Sequence, residues 1–201
     1  MSLITTINQY KRNFSLGLVP SILTENEQVI YELIKNSAND VNSSTFREEI
    51  TIEMCGYTKI SGKLDYDAKT SDNRLVEVKP QNYSGKTKLS ANGNFTDFTH
   101  KRLKKYKDDN CLMLVSGFDH GRLMYIIEFD YNSPIFYKQL EKCVKKKLPN
   151  GDIKGHYCRS ANFGWNQIKD ANNLVIKYIS PDISDHKKIF SGPFYKWLTD
   201  R

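Results

Sequence analysis

Apolar and polar positions along the chain predict alternating helices and strands. A helix is expected at residues 25–36, where apolar side chains recur at helical spacing and Thr24 with Glu27 forms a capping box. In residues 47–54 apolar and polar side chains alternate, which predicts a half-buried strand. The predicted apolar stripe of the helix consists of Val29, Ile30, Leu33 and Ile34.

Two further strands are predicted on either side of a tight turn. Residues 63–70 and 74–79 flank Ser71-Asp72-Asn73, and Pro80 closes the second strand, so the segment is typical of an antiparallel hairpin. A polar loop follows at 81–94. The later predicted elements are a helix at 96–109, strands at 111–116 and 122–131, and a helix at 133–147.

This order of elements predicts an α/β fold with a mixed, five-stranded central sheet flanked by helices. A chain of 201 residues suits a single domain, with its core at about 22–148. Beyond Pro149 the sequence becomes polar and rich in asparagine. Residues 149–201 are therefore expected to form an irregular C-terminal extension, with a strand at 174–179 and a short helix at 193–198.

Composition and charge narrow the class of protein. With 39% apolar residues the chain is neither collagen-like nor mainly disordered, and 30 basic against 23 acidic residues give a net charge of +7. A surplus of this size favours a polyanionic partner, either nucleic acid or an anionic membrane surface. No run approaches the roughly 18 apolar residues of a spanning helix, and the N-terminus does not resemble a secretory signal, so nucleic acid is the better expectation.

The four cysteines predict no metal or redox centre. Cys55, Cys111, Cys143 and Cys158 lie far apart, and no pair has a zinc or redox spacing. Free thiols are expected, which fits a reducing cytoplasm.

The hairpin carries the residues with the clearest chemistry. Residues two apart in a strand point to one face, so Asp65 and Asp67 share a face of one strand, and Glu77 and Lys79 share a face of the next. If the hairpin is in register, two carboxylates and an ammonium group converge. Desolvated carboxylates repel each other unless a cation joins them, and oxygen ligands suit Mg²⁺. We expect a Mg²⁺ site made by Asp67, Glu77 and the carbonyl of Val78.

Such a site favours hydrolysis of a phosphodiester, because Mg²⁺ polarises a phosphate oxygen and acidifies a bound water. Lys79 would either stabilise the negative charge that develops on phosphorus or, with a lowered pKa, help to deprotonate the water. The alternative is a set of exposed cross-strand ion pairs. The position of Asp67 before the turn, Pro80 after the strand and the basic helix that follows favour the metal site.

The motif Asp67, followed ten positions later by Glu77-Val78-Lys79, resembles the PD-(D/E)xK nuclease superfamily, to which most type II restriction endonucleases belong. The element order of residues 25–147 resembles it too. The resemblance implies that Asp67 and Glu77 are metal ligands and that Lys79 is the catalytic lysine.

The resemblance leaves two assignments open. The proline of the family pattern is missing, since Tyr66 precedes Asp67, and Asp65 is therefore an alternative ligand. Many members also carry an acid on the first helix, for which Glu27 and Glu32 are the candidates.

Contacts with DNA are expected from the loop after the hairpin, from the basic helix and from the C-terminal extension. Lysines suit phosphates, whereas arginine can read guanine and asparagine or glutamine can read adenine in the major groove. Phe163 and Trp165 are expected to anchor the extension in the core. The predicted DNA contacts are Tyr83, Lys86, Lys88, Lys101, Arg159, Asn162, Asn166, Gln167 and Lys169.

Together these features predict a Mg²⁺-dependent type II restriction endonuclease. A homodimer is expected, because a two-fold symmetric protein matches a palindromic site. The alternatives are a structure-specific or transposon-end nuclease of the same superfamily, or a non-enzymatic nucleic-acid-binding protein with a structural acidic pair. Whether one or two metal ions act stays open.

Overall fold

The chain forms a mixed α/β structure. The computed structural model describes residues 3–40, 44–60, 66–83, 85 and 87–200. Within these ranges there are seven α-helices, a six-stranded mixed sheet and a separate two-stranded ribbon. The helices are α1 (Leu3–Ser15), α2 (Glu25–Asn39), α3 (Thr45–Met54), α4 (His100–Asp108), α5 (Pro134–Lys147), α6 (Trp165–Ile168) and α7 (Gly192–Thr199). The strands are β1 (Thr58–Lys59), β2 (Ala68–Lys69), β3 (Leu75–Tyr83), β4 (Gly93–Phe95), β5 (Leu112–Asp119), β6 (Arg122–Asp130), β7 (Ala161–Phe163) and β8 (Val175–Ile179).

The six-stranded sheet has the order β1-β2-β3-β5-β6-β8. Its strands pair antiparallel except at the centre, where β3 and β5 are parallel and α4 lies between them in sequence. The mixed sheet is as predicted, but it has six strands rather than five. Only four of the five predicted core strands have a counterpart in it (β2, β3, β5 and β6), because the segment 47–54 is a helix. The sheet is completed by β1, which was not predicted, and by β8, which pairs with β6 and corresponds to the strand expected at 174–179.

Each face of the sheet carries its own apolar core. On one face the buried side chains of α2 and α3 pack against alternate residues of β3, among them Val76 and Val78. On the other face α4, α5, α7 and the ribbon cover the larger core, which is rich in aromatic rings such as Phe95 and Tyr106. Glu77 and Lys79, which alternate with the two valines, therefore belong to the face covered by α4 and the ribbon.

The strand predicted at 47–54 is wrong, because this segment is helix α3. Its buried residues include Phe46, Arg47, Ile50 and Thr51, which recur at helical spacing. Arg47 is buried because its Nη1 donates hydrogen bonds to the carbonyl of Ala38 at 2.9 Å and to that of Asp40 at 3.3 Å. The short alternation of isoleucine with glutamate and threonine is compatible with either structure, and packing against β3 selects the helix.

Helix α2 is confirmed, with its capping box of Thr24 and Glu27, but its apolar stripe is partly wrong. Val29 and Leu33 are 61% and 64% exposed. The buried face consists of Tyr31, Ile34 and Ala38. Helix α1, which packs against α2 and α3, was not predicted.

Strand β3 does not end at Pro80, as predicted, but continues to Tyr83. The N–H of Val78 points towards β2, where it donates to the side chain of Asp67. The backbone nitrogen of Pro80, two residues further on, points to the same side of β3, beyond the end of β2. No described strand pairs with β3 at this position, so the N–H that proline lacks is not needed.

The C-terminal extension is more ordered than expected. It contains β7, α6, β8 and α7, and its buried Phe163 and Phe194 belong to the larger core. All four cysteines are free thiols. Among the described residues, no helix combines the length and the apolar character needed to cross a bilayer.

Candidate catalytic site and nucleic-acid interface

The predicted hairpin forms, and it brings two carboxylates near each other. Strands β2 and β3 pair antiparallel with Ala68 opposite Val76. Asn73 takes a positive φ of 64° in the connecting turn, a conformation that asparagine tolerates well. Asp67 immediately precedes β2, outside the paired residues, and the charges of both Glu77 and Lys79 act on its carboxylate, so the two carboxylates lie near each other.

Asp67 is fixed by the backbone of β3. Its N–H donates to the carbonyl of Val76 at 3.0 Å, and its Oδ2 accepts a hydrogen bond from the N–H of Val78 at 2.7 Å. Burial, followed by the nearby charge of Glu77, raises the pKa of Asp67 to about 6. The hydrogen bond from Val78 and the charge of Lys79 act in the opposite direction but do not outweigh burial.

Glu77 is the most enclosed acid of the group, with only 5% of its surface exposed. Lys79 donates from Nζ to Oε1 of Glu77, and the hydroxyl of Tyr106 donates to Oε2 at 3.0 Å. The ammonium group of Lys79 also lies 4.6 Å from the centre of the Phe95 ring. Both oxygens of Glu77 are thus engaged, and Lys79 is held at the border between the carboxylates and the aromatic core.

Tyr106 is a site residue that the sequence did not reveal. It was expected to point inward from the helix as a core residue, and it is fully buried. Arg102, one turn earlier in α4, donates from Nη2 to the Tyr106 hydroxyl at 3.1 Å. Burial and the charge of Glu77 raise the pKa of Tyr106, so its hydroxyl stays protonated and acts as a donor. No local pattern distinguishes such a tyrosine from an ordinary core residue.

The residues present fit a Mg²⁺ ion. The described ranges contain no group of three or more His, Cys, Asp or Glu side chains that could enclose a metal. Two carboxylates are sufficient for Mg²⁺, which commonly keeps several waters and binds through one or two carboxylates and substrate phosphates. The Val78 carbonyl, the third predicted ligand, belongs to the strand segment that also holds Asp67. Asp65, the alternative to Asp67, lies outside the described residues.

Neither predicted helix acid contacts these carboxylates. Glu27 completes the capping box of α2 and accepts from Tyr10, and Glu32 forms an exposed salt bridge with Lys35. Glu49 of α3 has the closer connection, because it pairs with Lys59 at 2.6 Å, and the charge of Lys59 acts on Asp67. The sequence missed Glu49 because its segment was assigned to a strand.

A groove lined by amides and hydroxyls lies beside Lys79. The amide groove, as we term it, has a volume of about 630 Å³, and none of the described residues that line it is charged. Gly93 on its floor is so close to Lys79 that an added Cβ would lie 3.0 Å from the Lys79 Cβ. The polar residues that line the amide groove are Gln81, Ser90, Asn92, Asn94, Ser160 and Asn162.

A second cavity, of about 600 Å³, is lined by four lysines and is here called the lysine cleft. Lys88, Lys187, Lys188 and Lys196 surround it, and Asp200 is the one acid among the described residues that line it. The cleft is joined to the end of β3, since Gln81 donates from Nε2 to the carbonyl of Lys88 at 3.5 Å. Gln81 itself follows Lys79 on the same face of the strand, about 7 Å further along.

The structure brings only some of the predicted DNA contacts together. Asn162 lines the amide groove, Lys88 lines the lysine cleft, and Tyr83 follows Lys79 and Gln81 on one face of β3. Lys86 lies outside the described residues.

The other predicted contacts lie on the surface or already have partners within the chain. Arg159 forms an exposed salt bridge with Asp97 at 2.7 Å. The side chain of Gln167 accepts a hydrogen bond from the N–H of Gly164 at 2.9 Å and so caps the N-terminus of α6. Lys101, Asn166 and Lys169 are exposed.

Comparison of the sequence with known protein families and with characterised proteins finds no match.

Proposed function

We propose that this protein is a Mg²⁺-dependent endonuclease that hydrolyses phosphodiester bonds in double-stranded DNA. The observation that carries the proposal is the proximity of Asp67, Glu77 and Lys79: Lys79 donates to Glu77, and the charges of both act on Asp67. A structural ion pair with Lys79 needs one carboxylate. A second, partly buried carboxylate is costly unless a cation is bound: burial in the first place, and then the charge of Glu77, raise the pKa of Asp67.

The side chains have separable roles in this proposal. Asp67, Glu77 and the Val78 carbonyl would hold Mg²⁺, which supplies polarisation of a phosphate oxygen and a more acidic water. Tyr106 orients Glu77 by donating to it. Lys79 brings a positive charge to the edge of the carboxylates, where it can stabilise the charge that develops on the phosphate or assist the removal of a proton from water.

A type II restriction enzyme of the PD-(D/E)xK superfamily is the specific form that we favour. Such an enzyme must hold phosphates and read base edges. The lysine cleft supplies positive charge, and the amide groove supplies hydrogen-bonding groups next to Lys79. A palindromic site would make the active form a homodimer, and the free thiols favour a reducing, cytoplasmic location.

One observation favours a second candidate, a nucleic-acid-binding protein without enzymatic activity. Lys79 already donates to Glu77, so part of the charge at the site is neutralised within the chain. The basic surplus and the lysine cleft would serve such a protein equally well.

Digestion of several DNAs of known sequence, with Mg²⁺ or with EDTA, separates the candidates. We expect Mg²⁺-dependent fragments with uniform ends, and Asp67→Ala and Lys79→Ala should abolish cleavage while DNA binding remains. Matched controls from the same hairpin are Asp72→Ala, in the exposed turn, and Lys69→Ala, whose Nζ contacts Asn73. Full cutting by Lys79→Ala would defeat the assignment. Scattered ends or a preference for junctions would indicate a different nuclease, and absence of cutting a pure binder.

A further inference from the structure

The β4–β7 ribbon presents two asparagines side by side. In its antiparallel register Asn94 lies opposite Asn162. Both are exposed, whereas the flanking Phe95, Ala161 and Phe163 are buried in the larger core. Opposed residues of a ribbon have Cβ atoms about 5 Å apart on one face. The ribbon therefore carries two carboxamides as neighbours on its solvent side.

Both amide oxygens accept hydrogen bonds within the chain, that of Asn162 from the thiol of Cys143 at 4.0 Å, while the amide NH₂ groups are available. Ser160 donates from its hydroxyl to Oδ1 of Asn94 at 2.9 Å, and Gln139 donates to the backbone carbonyl of Asn162 at 3.0 Å. Among the described residues, none accepts a hydrogen bond from either asparagine NH₂ group. The protein thus positions the two side chains and leaves their NH₂ groups to donate hydrogen bonds to a ligand.

The ribbon is packed directly against the candidate catalytic strand. The site of an added Cβ on Gly93 lies 2.5 Å from Cζ of Phe163 and 3.0 Å from Cβ of Lys79. Asn94 and Asn162 belong to the opposite face of the ribbon but line the amide groove together with Pro80 and Gln81, which follow Lys79 on β3. A ligand whose phosphate reaches Lys79 can therefore place its neighbouring groups in this groove. The surrounding amide groove is polar and uncharged, which suits base edges better than phosphates.

We infer that Asn94 and Asn162 form an adenine-reading pair in duplex DNA. This inference rests on the proposed DNA substrate and adds the residues that select the sequence. A two-stranded ribbon fits the major groove, and the carboxamide of asparagine donates to N7 and accepts from N6 of adenine in a bidentate contact. The bound sequence therefore contains A·T pairs close to the phosphate that faces Lys79.

Selection from a random duplex library tests this inference, with Ca²⁺ in place of Mg²⁺ so that bound DNA is recovered. The wild-type protein should enrich a motif containing A·T pairs at fixed positions. Asn94→Ala and Asn162→Ala should each reduce the preference for adenine at one of these positions about 5- to 100-fold. Asn36→Ala, an exposed asparagine on α2, is the matched control and should enrich the wild-type motif. Unchanged thermal unfolding of the two ribbon variants verifies their fold.

The outcomes test the asparagine assignment separately from the nuclease proposal. An unaltered motif in both ribbon variants would overturn the asparagine assignment and leave the nuclease proposal standing. Failure of the wild-type protein to enrich any motif would also overturn it, whether or not plasmid is cut with Mg²⁺. Enrichment that is relaxed by the variants, in a protein that never cleaves, would support the pair and reject the nuclease.

Discussion

The hydroxyl of Tyr106 donates a hydrogen bond to Oε2 of Glu77 across 3.0 Å, from a helix that follows the acid by more than twenty residues. Lys79 occupies the other oxygen of Glu77, and Arg102 donates to the tyrosine hydroxyl. The orientation of the buried carboxylate is therefore set by α4 as well as by its own strand. Residues that hydrogen-bond to a metal-binding carboxylate affect the affinity for the metal although they never contact it.

Tyr106→Phe should raise the Mg²⁺ concentration needed for half-maximal cleavage about 10- to 100-fold, because Glu77 loses its orienting donor. The loss of unfolding free energy should be only about 1 kcal/mol, as for one buried hydrogen bond. Tyr131→Phe is the matched control: Tyr131 is also fully buried, but its hydroxyl donates to the carbonyl of Leu103 at 3.3 Å. An equal Mg²⁺ requirement in both variants would show that the contact with Glu77 has no influence on the metal.

The local pattern of the sequence was sufficient to predict the hairpin. Period-two spacing placed Glu77 and Lys79 on one face of a strand, and in the structure Lys79 donates to Glu77. The turn residues placed Asp67 on the opposing strand, whereas in the structure it lies immediately before β2. The inward face of α4, with Leu103 and Tyr106, also follows from spacing alone. These features depend on residues close together in the chain, which is why they could be predicted from the sequence.

Features that depend on residues far apart in the chain could not be predicted from the sequence. The pairing of Asn94 with Asn162 joins segments 68 positions apart, and nothing in either segment specifies the other. Helix α3 was mistaken for a strand because the burial of Arg47 depends on carbonyl groups at the end of α2. Tyr106 resembles a core aromatic until the carboxylate beside it is known.

Asp67→Asn should stabilise the metal-free protein at neutral pH. The folded protein raises the pKa of Asp67 from 3.8 to about 6, so folding disfavours its charged form, and stability is lost as the pH rises through that interval. Asparagine cannot ionise. The variant should therefore gain about 1–3 kcal/mol of unfolding free energy at pH 7.5 and much less at pH 4.

Urea unfolding in EDTA at the two pH values measures this difference. Asp109→Asn is a control in which the change in stability should have the opposite sign. Hydrogen bonds, the larger contribution from Tyr66 and the next from Lys105, lower the pKa of Asp109. That carboxylate contributes stability above its unfolded pKa, so its replacement should destabilise the protein at pH 7.5. An equal effect of Asp67→Asn at both pH values would contradict the assigned burial of its charge.

Gly93→Ala should weaken both the fold and the cleavage activity. The added Cβ would lie 2.5 Å from the Phe163 ring and 3.0 Å from the Lys79 Cβ, so the ribbon must move away from β3. Overpacking of this kind costs about 1–3 kcal/mol, and the displaced ribbon should lower the cleavage rate further. Gly164→Ala meets its nearest atom at 3.7 Å and should leave the unfolding free energy unchanged. Identical stability and activity of Gly93→Ala and wild type would show that the ribbon does not pack on Lys79 as described.

Lys187→Ala combined with Lys188→Ala should weaken DNA binding in a salt-dependent way. These lysines line the lysine cleft, which Lys88 connects to Gln81 and thus to the face of β3 that carries Lys79. Each lysine that contacts a phosphate releases about one counterion, so the slope of log affinity against log salt should fall in magnitude by about 2. Replacing Lys138 and Lys142 with alanine changes the net charge equally, on the exposed face of α5, and should leave the slope near the wild-type value. Binding titrations at 50–200 mM salt on one duplex distinguish a phosphate site from a general effect of charge, because a general effect would lower the slope in both double variants alike.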